Sequence, residues 1–344
     1  MNTDVLNLAQ AGGGGGASAI WTVLAVAVIF LIVIRFMDLN EKESFGAILL
    51  VLAIGAAVGA ILQTTLSSTI ELDNTMGPIV ISGGIFVAIL VGLLVLNAST
   101  RSKGWSALGS LMDGVVYGTT AGLGVALGSV IVSSFKTTSL IGDSLGAANN
   151  IGATALGGLA EGLFGAIIGA GFGAAVAGTA AKRAASVIGG LVLGAGLHIL
   201  FNSFSRGNAL AGGGERTKAL IGLSIPVVFV VIVIAYALLR EQKAIRDQLA
   251  DEAAAGVVTS DELKLLDSFV ARRALYAKTF FSGNFGKWRA LRTLHNRQVQ
   301  LALAEQRNTR ESDADRKAKA QAEIDRLRSA IAEARTQASA GGAS

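Results

Sequence analysis

The chain has 344 residues, 44 of them glycine, no cysteine and a formal charge of +5, and its mean hydropathy of +0.58 excludes an ordinary soluble protein. The lack of cysteine removes disulfides, thiolate zinc sites and cysteine nucleophiles, so a metal would have to be held by His, Asp or Glu. Basic residues outnumber acidic ones in the last hundred positions, which predicts contact of that part with anionic headgroups.

Residues 1–18 carry no Lys or Arg, and Gly12–Gly16 is expected to be a flexible run. A secretory signal needs a positive start and a short apolar core; neither is present, so Ala19–Phe36 is expected to be a retained first span. Further apolar stretches follow at Phe45–Leu66, Gly77–Asn97, Leu111–Ser134, Leu156–Gly178, Ala184–Phe204 and Ala219–Leu239. Each approaches the roughly 20 residues a bilayer crossing needs. The expected fold is an all-α polytopic bundle of about seven transmembrane helices over residues 19–239. A basic, helical cytosolic extension with a disordered end follows over residues 240–344.

Lys and Arg accumulate in cytoplasmic loops. Arg35 and Lys42, Arg101 and Lys103, Lys182 and Arg183, and Arg240, Lys243 and Arg246 mark alternate loops as inside. The Glu71–Asn74 connection has neither, and Ser134–Asn150 has only Lys136. The basic Arg206–Lys218 loop goes against the pattern. The expected location is the plasma membrane, with the N-terminus outside and the C-terminus in the cytoplasm.

Glycines recur at intervals of four in Gly55 and Gly59, Gly118 and Gly122, Gly124 and Gly128, Gly165, Gly169 and Gly173, and Gly190 and Gly194. This spacing puts small residues on one helix face and predicts close packing without chemistry. Pro78 and Pro226 are placed near the starts of spans three and seven, where a missing N–H is tolerated.

Beyond Leu239, Thr259-Ser-Asp-Glu262 reads as a capping box opening a helix. Ala320, Ile324, Leu327, Ile331 and Ala334 keep a four-three rhythm over about two heptads, which predicts pairing with another helix. Tyr276–Leu294 mixes Phe280, Phe281, Phe285 and Trp288 with Lys278, Lys287, Arg289 and Arg292. Following a membrane domain, that mixture predicts a membrane surface rather than nucleic acid as partner. His295, beside Arg297, is expected at the solvated surface.

An ionisable side chain inside a membrane-length segment is costly and points to a functional site. His198 in Gly189–Asn202 is such a group, and Glu161 in span five is another. The expected topology puts Ile81, Ser82, Ser129, Glu161 and His198 at similar depth near the outer surface. Glu161 and His198, flanked by Ser129 and Asn202, are therefore the candidate cluster. Asn202, four residues past His198, shares its helix face. The two ionisable groups either pair to lock helices or act as catalytic residues and metal ligands. A hydrolytic zinc site needs three protein ligands, and two are countable.

Several stretches resemble the PrsW-type intramembrane proteases. Asp38-Leu-Asn-Glu-Lys-Glu43 is similar to the family's acidic linker, and Gly77-Pro-Ile-Val80 to the lead-in of its paired-glutamate motif. Asp113-Gly-Val-Val-Tyr-Gly118 with Ala121-Gly-Leu-Gly124 is similar to its DGxxYG…GLGF stretch. Gly196-Leu-His-Ile-Leu-Phe-Asn202 resembles its closing His-x-x-x-Asp/Asn motif, and Gly256–Glu262 through Arg272-Arg273 resembles an extension of some members. The resemblance implies a bacterial, metal-dependent peptidase that cuts single-span membrane substrates, with a divalent metal such as zinc.

This chain departs from that pattern at the chemistry. Ile81-Ser82-Gly83-Gly84-Ile85 stands where the family has paired glutamates, Val125 and Ser129 stand at its Phe-x-x-x-Glu, and Glu161 stands at its first histidine. Metal-assisted hydrolysis needs enough ligands and a base for the bound water. The resemblance therefore implies a pseudoenzyme with lost or much reduced peptidase activity and no bound cofactor, which binds a membrane partner such as a single-span protein. Its set would be Glu161 and His198, with Ser129, Asn202 and Asp113 in support. An active protease is the alternative expectation. A small-solute channel or transporter is a further one, although paired broken helices and a chain of intramembrane charges are missing.

Overall fold

The computed structural model describes residues 20–33, 44–69, 76–100, 108–134, 151–176, 179–205, 213–310 and 314–340. Among the described residues all regular structure is helical. The glycine run Gly12–Gly16, the acidic linker Asp38–Glu43, the Glu71–Asn74 connection and the C-terminal end expected to be disordered lie outside them, as do most of the Ser134–Asn150 and Arg206–Lys218 loops.

The helices are α1 (Ile20–Val33), α2 (Phe45–Thr69), α3 (Met76–Thr100), α4 (Leu111–Ser134), α5 (Ile151–Ala174), α6 (Ala180–Ser205), α7 (Gly213–Ala254), α8 (Ser260–Asp267), α9 (Phe269–Phe281), α10 (Phe285–Arg310) and α11 (Ala314–Ala340). Six of them, α2 to α7, are long and apolar enough to cross a membrane. The chain is a multi-pass helical membrane protein by length and composition. Of the seven expected spans, the first, Ala19–Phe36, is described over Ile20–Val33, which is apolar and helical.

The chain divides into two compact units, one of Met1–Asp38, Glu43–Val176 and Ala180–Ile234, the other mainly Ala235–Ser344. In the first, α4 is the central helix, and glycine makes it so. One α4 face presents Gly124 and Gly128 to Leu52, Gly55 and Ala56 of α2, and Gly59 of α2 meets Val125 in return. Another presents Gly114, Gly118 and Gly122 to Gly169, Gly165 and Glu161 of α5. A Cβ added at Gly118 would stand 2.7 Å from the Gly169 Cα, so the two main chains are in contact. Helix α6 packs on α5, where Gly190 meets Gly171, and α3 packs on α2, α4, α5 and α6. The spacing of four thus serves backbone approach.

Polarity is inverted relative to a soluble core. Leu49, Ile61, Leu94, Val192, Val228 and Ile232 face outward, while Gln63, Ser82, Glu161, His198 and Asn202 are buried. This is the distribution a hydrocarbon solvent selects. Pro78 lies in the first turn of α3. Pro226 does not begin its helix, because α7 already starts at Gly213, so its missing N–H falls in the helix interior.

The second unit is a small helical domain. Ile245 and Leu249 of α7, Leu266 of α8, Leu294, Val299 and Leu303 of α10, and Ile324, Leu327, Ile331 and Ala334 of α11 form its core. The four-three rhythm of α11 is thus spent on α10 and its neighbours within the chain. Gly256, at φ 78°, turns the chain out of α7. Thr259 and Glu262 then close a reciprocal capping box at the start of α8. Arg335 of α11 bonds the Glu262 carboxylate at 2.7 Å and the Val257 carbonyl at 2.7 Å. His295, expected at the surface, is buried, because α10 turns this residue inward to meet the Tyr276 hydroxyl on α9 at 2.9 Å.

Candidate functional site

Two residues of the expected cluster do meet. His198 Nε2 on α6 lies 3.3 Å from Glu161 Oε1 on α5, both buried. Their approach follows from packing: Gly194, one turn before His198, leaves room for the Ile168 side chain of α5 and brings the two helices together. The other ring nitrogen, Nδ1, lies 3.2 Å from the Ser82 hydroxyl on α3. Three helices are thereby joined through one imidazole.

The ring face is also occupied. Phe164 of α5 stacks on His198 with ring centroids 4.3 Å apart and planes 14° from parallel, and Phe201 packs against Phe164 at 5.8 Å. Both ring nitrogens and one face of His198 are therefore committed to protein groups. Proton placement for a neutral imidazole has two consistent forms. With Glu161 as carboxylate accepting from Nε2–H, Nδ1 accepts from the Ser82 hydroxyl; with Glu161 protonated and donating to Nε2, Nδ1–H donates to Ser82. Glu161 Oε2 is buried and, among the described residues, has no hydrogen-bond partner.

The supporting residues fall in different places. Asn202 is buried one turn beyond His198 on the same helix. Ser129 is not brought to the pair: it donates to the Gly59 carbonyl at 3.3 Å, in the α2–α4 seam. Gly122 is the α4 residue level with Glu161, and Ser129 lies seven residues further on, about 10 Å along the axis. Asp113 is a helix cap. Its Oδ2 accepts from the Gly109 and Ser110 amides at 2.7 Å each, while Ser110 Oγ accepts from the Asp113 amide at 3.2 Å. That reciprocal pair satisfies orphan donors at the start of α4 and places a carboxylate at its positive end.

Ser82 and Phe164 are the residues the candidate set left out. Ser82 had a depth signal alone, since nothing in a single sequence aligns α3 with α6. Phe164 lies three residues after Glu161 and so shares its face.

The metal implied by the family resemblance does not fit these residues. Two ligands of one tetrahedral zinc would themselves stand about 3.3 Å apart, so the His198–Glu161 distance alone does not decide. The donor count does: among the described residues no group of three or more His, Asp or Glu stands together. No protein-family model, curated protein or solved structure matches the chain.

Proposed function

We propose that this protein is a non-catalytic member of the PrsW-type layout in the plasma membrane, N-terminus outside and C-terminus cytoplasmic, which acts by binding a single-span membrane partner. Its basic extension lies against anionic headgroups. The observation that supports this best is the use of His198. A metal-binding imidazole needs a free nitrogen, whereas this one is held by Ser82 on one side and Glu161 on the other and covered by Phe164. The trio is then a polar clasp across α3, α5 and α6 that keeps the bundle in register while its outer faces do the binding. On α6 that outer face carries Gly189 and Gly196, whose Cβ positions are open, beside the exposed Ile188 and Val192. Small residues there let a second helix approach closely.

One observation favours a second reading. A serine hydroxyl at 3.2 Å from an imidazole whose far nitrogen meets a carboxylate is the order of groups in a serine hydrolase. Ser82 would then be the nucleophile, His198 the general base and Glu161 its orienting partner, and no metal would be needed. Against it, Ser82 is completely buried.

One set of measurements separates these readings. Purified full chain is assayed for divalent metal, for labelling by a fluorophosphonate, and for cleavage of a single-span substrate. The clasp predicts no stoichiometric metal, no label and no cleavage. It also predicts photo-crosslinks from Val192 to a single-span protein in cells that disappear in Gly189→Ile. A label lost in both Ser82→Ala and His198→Ala would establish the hydrolase instead. Metal at one equivalent, lost in His198→Ala, would restore the metalloprotease.

A further inference from the structure

We infer that the turn between α9 and α10 is a membrane-docking tip that inserts aromatic side chains into an anionic lipid surface. This rests on the placement of the extension at the headgroups and names the part of it that makes contact. Gly283, at φ 77°, lets the chain reverse between Phe281 and Phe285. At this reversal Phe280 is the hub of an aromatic cluster, with ring centroids 5.6 Å from Phe281, 5.2 Å from Phe285 and 5.5 Å from Trp288. The cluster is not a core. Phe281 is 85% exposed, Phe285 55% and Phe280 41%. Three neighbouring phenylalanines held open to water at the end of a helical hairpin need an apolar partner.

The charge around the cluster identifies that partner. Between Asp267 and Glu305 the chain carries seven Lys or Arg residues and no Asp or Glu. Lys278, Lys287 and Arg289 flank the aromatic rings and are exposed, and Arg292 stacks over Trp288 at 4.7 Å. The nearest acidic residue before the tip in the chain, Asp267, precedes α9, a helix about 20 Å long, so it does not neutralise this end. Exposed Phe side chains with exposed Lys and Arg beside them in the chain match the two layers of an anionic membrane surface, acyl boundary and headgroup phosphate. The patch lies at the exposed turn between two helices, whereas stacking of nucleic-acid bases uses a charged groove. Attachment to membrane helices also holds the tip at high local lipid concentration, so modest intrinsic affinity suffices.

The native absence of cysteine makes the test direct. Full chain bearing an environment-sensitive fluorophore at Gly286→Cys, an exposed position where a Cβ would meet the Asn284 side chain at an ordinary 3.9 Å, is placed in nanodiscs of phosphatidylcholine alone or mixed equally with phosphatidylglycerol. Expected are a blue shift and quenching by spin-labelled lipid in the mixed discs, both lost at high salt, in Lys278→Glu/Lys287→Glu/Arg289→Glu, and in Phe281→Ser/Phe285→Ser. A second reporter, at the exposed Glu333→Cys on α11, is expected to stay unchanged and checks that each variant is folded. A response at Glu333→Cys alone would overturn the tip while leaving the extension on the membrane by another face. No response at either reporter would overturn both. A shift driven by added oligonucleotide in pure phosphatidylcholine discs would make the ligand nucleic acid and overturn the proposal.

Discussion

Gly122 of α4 faces the main chain of Glu161 so closely that an added Cβ would meet the Glu161 carbonyl oxygen. The glycine stripe and the polar clasp are therefore one construction: the missing side chain on α4 sets the position of the α5 turn that carries the carboxylate. Gly122→Ala is expected to push α5 away, destabilise the protein by about 1–3 kcal/mol as overpacking does, and lengthen the Glu161–His198 contact. Gly118→Ala, against Gly165 and Gly169, should cost as much. Gly189→Ala, in open space, should be neutral or slightly stabilising, because Ala is the better helix former by about 1 kcal/mol. Thermal unfolding of the three variants in detergent measures this, and equal effects at Gly122 and Gly189 would refute it.

The clasp itself is open to a double-mutant cycle. Interhelical hydrogen bonds in membranes couple by about 0.6 kcal/mol on average and up to about 1.7 kcal/mol. Ser82→Ala and Glu161→Gln are each expected to couple to His198→Ala within that range. Glu161→Ala should be the most damaging single change, since it empties a buried volume as well as removing a partner. Zero coupling for both pairs would mean that the residues do not interact in solution.

How much of this was legible beforehand follows from the kind of signal involved. Hydrophobic length showed α2 to α7, because a bilayer imposes a minimum run of apolar residues on each crossing. Glycine spacing gave the packing faces, because period four is a property of one helix alone. Glu161 and His198 could be singled out because ionisable groups are so rare in hydrocarbon. Ser82 could not, since a serine in a span is unremarkable until the facing helix is known. His295 was misplaced for the related reason that α10 folds into a helical unit with its own interior, which its charge-rich sequence obscures. Asp113 stands in the stretch that resembles the DGxxYG motif, yet its geometry is that of a capping residue.

Within the helical unit, Arg328 of α11 joins Glu252 of α7, which it bonds through the guanidinium fork, to Glu305 of α10 at 3.1 Å. Removing it leaves two poorly exposed carboxyl groups without their shared cation. Arg328→Ala is expected to cost on the order of 2 kcal/mol, less than for a fully buried pair, since its side chain keeps 39% of its surface in water. Burial first, and then Glu252, push the Glu305 carboxyl from 4.5 up to about 8. A folded-state value above the unfolded one gives stability that is complete below about 4.5 and lost as pH rises through about 8. Glu305→Gln should remove that decline, so the variant becomes the more stable form above pH 8. A decline of equal size in both proteins would count against the assignment.

His295 carries the opposite sign, and its effect can be isolated. Burial first, and then the Arg272 charge, hold its imidazole down from 6.5 to about 4, and the Tyr276 hydroxyl at 2.9 Å gives Nδ1 a partner in the neutral form. With the folded-state value depressed, the unfolded chain binds the proton more readily. The stabilising contribution is therefore complete above about 6.5 and lost as pH falls through about 4. Each pKa unit corresponds to about 1.4 kcal/mol, so the loss across the window is on the order of 2–3 kcal/mol. His295→Gln should flatten the acid limb of the stability profile. Tyr276→Phe should keep that limb but lower the whole curve by about 1–2 kcal/mol, for the buried nitrogen left without its partner. Trp288, at the far end of the same helical hairpin, reports the unfolding by fluorescence once Trp21 and Trp105 are replaced by Phe. An acid limb that survives His295→Gln unchanged would assign it to the carboxylates instead.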